Sequence, residues 1–376
     1  MRVGIVGCGR ITNERHIPAW LRIKDVKIVA VCDRRENITK ETGAQFGIGE
    51  FHEDLSSMLE TQNLDLVDIC TPPRTHSSLS IEAMNAGCHV LVEKPMAISV
   101  KEADEMITAS KKNDVKLCVV HQLLFNPVVR KAKSLIDRGV IGDLIDVNAT
   151  FLERNDSLIA NQDHWCHNLP LGIFGECAPH AVYFNLAFIR NVKSVQAIPK
   201  KLSNYDWVDA DILKVLLDAE NATGGFNMSC LTPRSSITAD ILGTKKCLHL
   251  NMHTQTMIQH KRAISRHSKA FDALSSSFQM FKGTVSITAQ VLLGKSRTAH
   301  AILIKNLFES IRDNKETPVT AEEGRETVRI LERIQEKCAR AIKDWQGGSI
   351  SNGNSHSQAS CERFEQAACS MEQASL

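Results

Sequence analysis

Five short apolar runs, Val3–Val6, Lys27–Cys32, Leu66–Cys70, His89–Val92 and Lys116–Val120, punctuate the first third of the chain. None alternates apolar with polar residues, so each expects burial on both faces, the condition of a parallel sheet covered by helices. Between them lie segments with helical spacing: Arg10–Leu21, Arg35–Phe46, Ser77–Asn85 and Val100–Lys112. Each is long enough for a right-handed crossover. Residues 1–121 are therefore expected to form a doubly wound α/β domain, with ligands at the carboxyl edge of its sheet.

The turn after the first run says what binds there. Gly7-Cys8-Gly9-Arg10-Ile11-Thr12 is a G-x-G-x-x-G turn with threonine in the last place. Gly7 permits the tight turn, and Gly9 lets the backbone at Arg10 and Ile11 approach a pyrophosphate at the helix N-terminus. Thr12 predicts slightly looser packing of helix on strand. Asp33, at the end of the second run, is placed to accept the ribose hydroxyls of an adenosine. Strand, turn, helix and acid together read as a Rossmann domain that prefers NAD. Arg34 and Arg35 follow, which keeps NADP open as a 2′-phosphate ligand.

Two further segments end at the same edge. Thr71-Pro72-Pro73-Arg74-Thr75-His76 follows the third run, and its prolines fix a loop beside the cofactor cleft, with His76 either facing the cofactor or simply opening a helix. Val90-Leu91-Val92-Glu93-Lys94-Pro95 ends a buried strand in a charged pair. A lysine there is costly unless the site uses it. His121 and Gln122 follow the last run, where His121 is either a contact to a substrate hydroxyl or a buried, hydrogen-bonded histidine.

Beyond residue 121 the rhythm changes. A helix over Pro127–Arg138 ends at Gly139, and longer, more alternating runs follow: Asp143–Phe151, Ser194–Lys201, Ile212–Ala219, Gly224–Ser229, Ser236–Leu242 and Cys247–Leu250. Residues 122–345 are expected to form an α+β domain with an open, mostly antiparallel sheet for substrate binding and oligomerisation. Ala299–Arg312 and Ala321–Ile342 read as helices, the second opened by a Thr320/Glu323 capping box. From residue 346 the chain turns polar and is expected to be disordered, with at most a frayed helix near Glu362–Cys369.

In this second half Glu176 and His180 stand four apart and share a helix face. With Lys94 they make a cation, a carboxylate and an imidazole, a set that moves protons. At these residues the chain resembles the glucose–fructose oxidoreductase/inositol dehydrogenase (Gfo/Idh/MocA) family. The resemblance spans about residues 1–345 and rests on the glycine turn, Asp33, Thr71–His76, Glu93-Lys94-Pro95, Gly139-Val140-Ile141-Gly142 and the Glu176/His180 spacing. It implies a hydride transfer between a nicotinamide cofactor and a hydroxyl-bearing carbon of a sugar, cyclitol or sugar derivative. It also implies Lys94 and His180 as the catalytic pair, a cis bond before Pro95, and a homodimer or homotetramer built on the open sheet. Glu176 stands where the family usually has aspartate, and Ala178 where it usually has glycine.

Other readings share parts of this pattern. A redox-neutral enzyme with tightly held NAD, or a non-catalytic dinucleotide-binding regulator, would keep the same fold. His164-Trp165-Cys166-His167 contains zinc-ligand residue types, but its spacing fits no standard site, and no metal is expected. Trp165 is instead a candidate to stack on a sugar ring, with Asn161 or Asn168 bonding hydroxyls. Residues 255–298 carry seven basic residues and one acid, a net +6, among apolar groups at near-helical spacing. The sequence favours an insertion packed on the sheet or on a second subunit over contact with a membrane. The whole chain has a formal net charge of only +2, which argues against nucleic acid as a partner. Its 12 scattered cysteines, with no apparent signal peptide, point to a reducing, cytoplasmic setting.

Overall fold

The computed structural model describes residues 1–261, 265–293 and 298–349. The chain forms two compact units. One comprises Met1–Arg130 and Ala289–Arg329, the other Lys131–Thr288 and the chain from Ile330.

The first unit begins with β1 (Arg2–Val6), a π-helical turn (Thr12–His16) and α1 (Ile17–Trp20). There follow β2 (Lys27–Cys32), α2 (Glu36–Phe46), β3 (Phe51–His52), α3 (Leu55–Thr61), β4 (Leu66–Ile69), α4 (His76–Asn85), β5 (His89–Val92), α5 (Val100–Lys112) and β6 (Leu117–Val119). The six strands are parallel in the order β3-β2-β1-β4-β5-β6. That order reverses direction at β1, and the switch point places the first βα turn where a dinucleotide binds. The non-alternating runs behave as expected: Val3, Ile5, Ala30, Val31, Leu66, Val67, Ile69, Val90, Leu91 and Val92 have no exposed surface. Polar side chains cap α3 and α5. Asp54 accepts the Ser57 N–H at 2.8 Å before α3, and Ser99 accepts the Glu102 N–H at 3.2 Å before α5.

The second unit carries β7 (Leu144–Arg154), α7 (Ile173–Leu186), β8 (Ser194–Lys200), β9 (Ile212–Asp218), β10 (Thr223–Thr232), β11 (Ser236–Gly243), β12 (Lys246–Asn251), β13 (Thr256–Lys261) and α8 (Arg266–Leu292), the last reaching just past its boundary. α6 (Pro127–Asp137) leads into it. Gly139 follows that helix in the left-handed region at φ +67°, where any side chain is strained. The seven strands run β13-β12-β11-β7-β10-β9-β8, with only β7 and β10 parallel. Alternation is clean: Leu213, Val215 and Leu217 are buried, while Lys214 and Leu216 are exposed between them. α7 buries Ala178, Ala181, Val182 and Phe184 in this unit.

Three differences from the sequence reading have physical causes. β3 and α3 escaped it, because β3 is two residues long and α3 is polar and serine-rich. β13 opens the basic stretch of residues 255–298, where the charge of the whole segment masks six residues of strand. The domain boundary also differs, since residues 122–345 do not all belong to the second unit. α9 (Ala299–Arg312) buries Ala301, Leu303, Ile304, Leu307 and Phe308 in the core of the first. α10 (Ala321–Ser349) opens with the expected capping box, in which Glu323 Oε2 accepts the Thr320 N–H at 2.8 Å and Thr320 Oγ1 accepts the Glu323 N–H at 3.1 Å. This helix runs past residue 346, so the tail expected to be disordered starts helical. Residues 350–376, with the Glu362–Cys369 segment, lie outside the described residues.

Candidate active site

The glycine turn is built to admit a ligand at one glycine and to close at the other. Gly7 has φ +93°, and a Cβ there would meet the Cys70 carbonyl oxygen at 2.7 Å. A Cβ on Gly9 would meet nothing within 4 Å. Space at Gly9 in front of a helix N-terminus is what a pyrophosphate needs, so the residues present fit a dinucleotide. Thr12 does not loosen the packing as expected. It is fully buried, its hydroxyl donates to the Gly7 carbonyl at 2.5 Å, and the helix widens there into the π turn that carries Thr12 to His16. The Cys8 thiol is inert, its pKa pushed up to about 12 by burial and by Asp33.

Asp33 closes the adenosine end. Its Oδ2 accepts the Cys8 N–H at 3.0 Å, which ties the end of β2 to the glycine turn. Arg35 holds both carboxylate oxygens at 3.0 Å through Nε and Nη2. Burial opposes charge on Asp33, and the Arg35 hydrogen bonds overcome it, holding the carboxyl below its usual range. Arg34 is exposed. Of the two arginines, Arg35 is the one placed beside the carboxylate.

His76 is fully buried and opens α4. Nε2 lies 2.7 Å from the Thr71 carbonyl oxygen and Nδ1 lies 2.8 Å from that of Pro95. The ring therefore spans the loop after β4 and the loop after β5. Burial lowers its pKa, with the two carbonyls working the other way. Of the two sequence readings, the geometry gives His76 a bracing position, with both nitrogens turned to backbone.

The Lys94–Pro95 bond is cis, as the resemblance implies. Lys94 and Glu93 are both 7% exposed at the end of β5. Beneath them lies a polar cluster that no local sequence pattern announces. His16 Nδ1 lies 2.8 Å from Asp68 Oδ2, and Nε2 lies 3.0 Å from Glu93 Oε1. Trp20 Nε1–H donates to Asp68 Oδ2 at 2.7 Å, and Glu93 Oε2 accepts the Lys94 N–H at 3.0 Å. A ring facing a carboxylate on each side donates on both, so His16 is an imidazolium. Burial opposes that charge, and Asp68, with Cys70, overrides it to hold the His16 pKa well above the usual imidazole value. Burial likewise opposes charge on Glu93, while the His16 hydrogen bond and charge bring its pKa down to about 2. His300 of α9 comes within 3.9 Å of Glu93 Oε1 and, chiefly through burial, has its pKa lowered to about 4. Two triads of ligand-type side chains, His16–Asp68–Cys70 and His16–Glu93–His300, each bring their donor atoms within 4.8 Å of one another, and in both the His16 ring is hydrogen-bonded to the carboxylate. His121, 2% exposed, has its pKa lowered by burial to about 3 and is a neutral ring.

In the second unit Glu176 and His180 lie on α7, both partly buried. His180 Nδ1 is 2.8 Å from Tyr183 Oη, with the rings edge to face at 5.6 Å. Tyr183 is 2% exposed and was not singled out from the sequence. Its spacing of three from His180 was the available signal. The candidate metal loop bonds to itself: His164 Nδ1 accepts the Cys166 N–H at 3.3 Å, and His167 Nε2 faces the carbonyls of Leu158 and Asn161. Trp165 packs on His164 at 5.1 Å, while Asn161 and Asn168 are exposed.

Comparison with known proteins fits this geometry. Residues 1–121 match the Gfo/Idh/MocA oxidoreductase family's NAD-binding Rossmann fold, and residues 129–249 match a Gfo/Idh/MocA C-terminal domain. The chain belongs to the Gfo/Idh/MocA family. It is an NAD(P)-dependent oxidoreductase. It is 27% identical over 271 residues to Oxidoreductase P35 of Formosa agariphila, a match covering 69% of this chain and 82% of that protein. It is 33% identical over 142 residues to myo-inositol 2-dehydrogenase of Thermotoga maritima, covering 38% of this chain and 42% of the relative. D-glucoside 3-dehydrogenase of Escherichia coli is 29% identical over 154 residues, covering 41% and 44%. With these last two the match spans less than half of the relative's length. In fold, the chain resembles the crystal structure of the WlbA dehydrogenase from Bordetella pertussis in complex with NADH and UDP-GlcNAcA. The TM-score is 0.74 at 24% identity, covering 90% of this chain and 95% of that one.

Proposed function

We propose that this family member oxidises or reduces a hydroxyl-bearing carbon of a sugar, cyclitol or sugar derivative, with Lys94 and His180 as the catalytic pair. The observation that carries the reading is a lysine only 7% exposed at the carboxyl end of β5, next to a carboxylate already committed to His16. Glu93 is bonded from below by His16 and its charge is also favoured by Lys94, which leaves a nearly buried cation fixed at the sheet edge where ligands bind. The names of the relatives that act on inositol and on glucosides support the substrate class.

The bound nicotinamide supplies the hydride acceptor or donor. Gly7, Gly9, Arg10 and Ile11 receive the pyrophosphate, Asp33 receives the adenosine ribose, and Thr71, Pro72 and Glu93 line the edge where the nicotinamide half belongs. His76 holds that edge in shape. In the oxidising direction His180 takes the proton of the substrate hydroxyl through its imidazole, while Tyr183 fixes the ring. Lys94 donates a hydrogen bond to the same oxygen and stabilises the alkoxide as it forms. Glu176, one helical turn before His180, favours the imidazolium that results. His121 and Trp165 are substrate contacts in this scheme. Exposed Ile198 and Leu216, on the outer face of the open sheet, support self-association into a homodimer or homotetramer. The described cysteines are all free, which supports a reducing, cytoplasmic setting.

The test is a panel of polyols, sugars and nucleotide sugars with NAD⁺, read as NADH absorbance, in wild type and His180→Ala. Turnover of one substrate class, lost in the variant, is the expected result. No turnover with any of them, together with cofactor that neither exchanges nor leaves during purification, would favour the redox-neutral enzyme. No turnover with freely exchanging cofactor would favour the regulator.

A further inference from the structure

α8 turns the wrong side outward for an ordinary insertion. The helix runs 27 residues, about 40 Å at 1.5 Å per residue, and none of its described side chains is buried. The row that leans on the sheet is Ser268, Asp272, Ser276, Gln279, Gly283 and Ile287, the half-buried residues of the helix. It docks by polar bonds to the edge strand β13. Gln279 Oε1 accepts the Gln259 N–H at 3.0 Å, its Nε2 donates to the Gln259 carbonyl at 3.2 Å, and His260 Nδ1 meets Asp272 Oδ2 at 2.9 Å. The apolar residues form a second row, roughly 150° away around the helix. There Phe271 is 72% exposed, Leu274 68%, Phe278 65%, Phe281 67% and Val285 52%. The insertion packs on the sheet edge, as one branch of the sequence reading expects, but through its polar row, and the apolar row faces out.

We propose that this face docks on an anionic lipid bilayer, with α8 lying in the plane of the interface. Charge decides between a membrane and a second copy of the helix. Lys261, Arg266, Lys269 and Lys282 are exposed, whereas Asp272, the one acid of the helix, faces β13 and is taken by His260. The apolar row repeats at alternating steps of three and four, which a helix pair would also use. Its flanks, however, hold Ser275, Ser277, Lys282 and Thr284, with no acid to pair across an interface. Two copies would set Lys282, beside the apolar row, near its counterpart with no acid to pair it, whereas anionic headgroups attract Lys282 directly and the other exposed basic residues at longer range, while the phenylalanines enter the acyl boundary. The helix lies on the bilayer and does not cross it, since no described helix is long and apolar enough to span one.

Flotation of the purified full chain tests this with two probes, vesicles of phosphatidylcholine alone and vesicles of phosphatidylcholine and phosphatidylglycerol in equal parts. The chain is expected to float with the anionic vesicles, less so as salt is raised, and poorly with the neutral ones. Phe278→Glu with Phe281→Glu should lower the partition by roughly tenfold or more, with an unchanged thermal unfolding midpoint. Lys269→Glu with Lys282→Glu should reduce binding and flatten its salt dependence. Absence of co-flotation with the anionic vesicles overturns the proposal. Equal binding to both vesicle types removes its charge basis and overturns it as stated. An oligomer in light scattering that the phenylalanine variant dissociates, without flotation, assigns the face to a second copy instead.

Discussion

The end of β5 and the outer face of α8 break opposite rules of protein interiors. Around Glu93 and Lys94, charged and polar groups are buried, and His16, Asp68, Trp20 and Glu93 satisfy one another within 2.7–3.0 Å. Along α8, large apolar groups stand in solvent while a polar row does the packing. Buried polarity is tolerated only when every group is bonded, and it then fixes one geometry. Exposed apolar rows are tolerated when something else covers them. The first region is therefore preorganised for a small ligand, and the second for an extended surface.

The sharpest way to break this contrast is to remove Asp68. Asp68→Ala strips a counter-charge from a buried imidazolium and leaves the Trp20 N–H without its acceptor, and should cost about 3 kcal/mol or more in urea unfolding. A loss below about 1 kcal/mol would make the cluster ordinary filler. The pH dependence follows from the same groups. His16 has a raised folded pKa, so its contribution is full below the unfolded value of 6.5 and fades as pH rises through the folded one. Glu93 has a lowered folded pKa, so its contribution is present above 4.5 and fades as pH falls toward about 2. The cluster should therefore stabilise most between pH 4.5 and 6.5. Wild type and His16→Gln compared by urea midpoint across pH should differ most in that window; parallel curves would contradict the assignment. Thr320→Ala, which removes the side-chain half of the capping box, should cost about 1 kcal/mol. Smallest of all, Phe278→Glu should shift folding stability by no more than about 0.5 kcal/mol, because its ring contributes little to the core. A larger loss would mean that the apolar row is already covered.

Much of the first unit was legible because its signals are local. A non-alternating run announces a strand buried on both faces, and Gly7, Gly9 and Asp33 occupy fixed places around one turn. Glu176 and His180 needed only the helical period. What was missed depends on contacts distant in sequence. His16, Asp68 and Glu93 are separated by 52 and 77 positions and read singly as unremarkable polar residues. Nothing local in α9 announces that its apolar face completes the core of the first unit. In α8 the apolar period was visible, but not which row would meet β13, because Gln279 and Asp272 find their partners only after the strand has formed.

The most direct test of the account is Lys94→Ala, with NADH affinity from fluorescence and turnover measured on the same preparation. Unchanged affinity to within a few-fold, with turnover reduced by roughly 10²–10³, is the result this assignment predicts. Turnover near that of the wild type would contradict it.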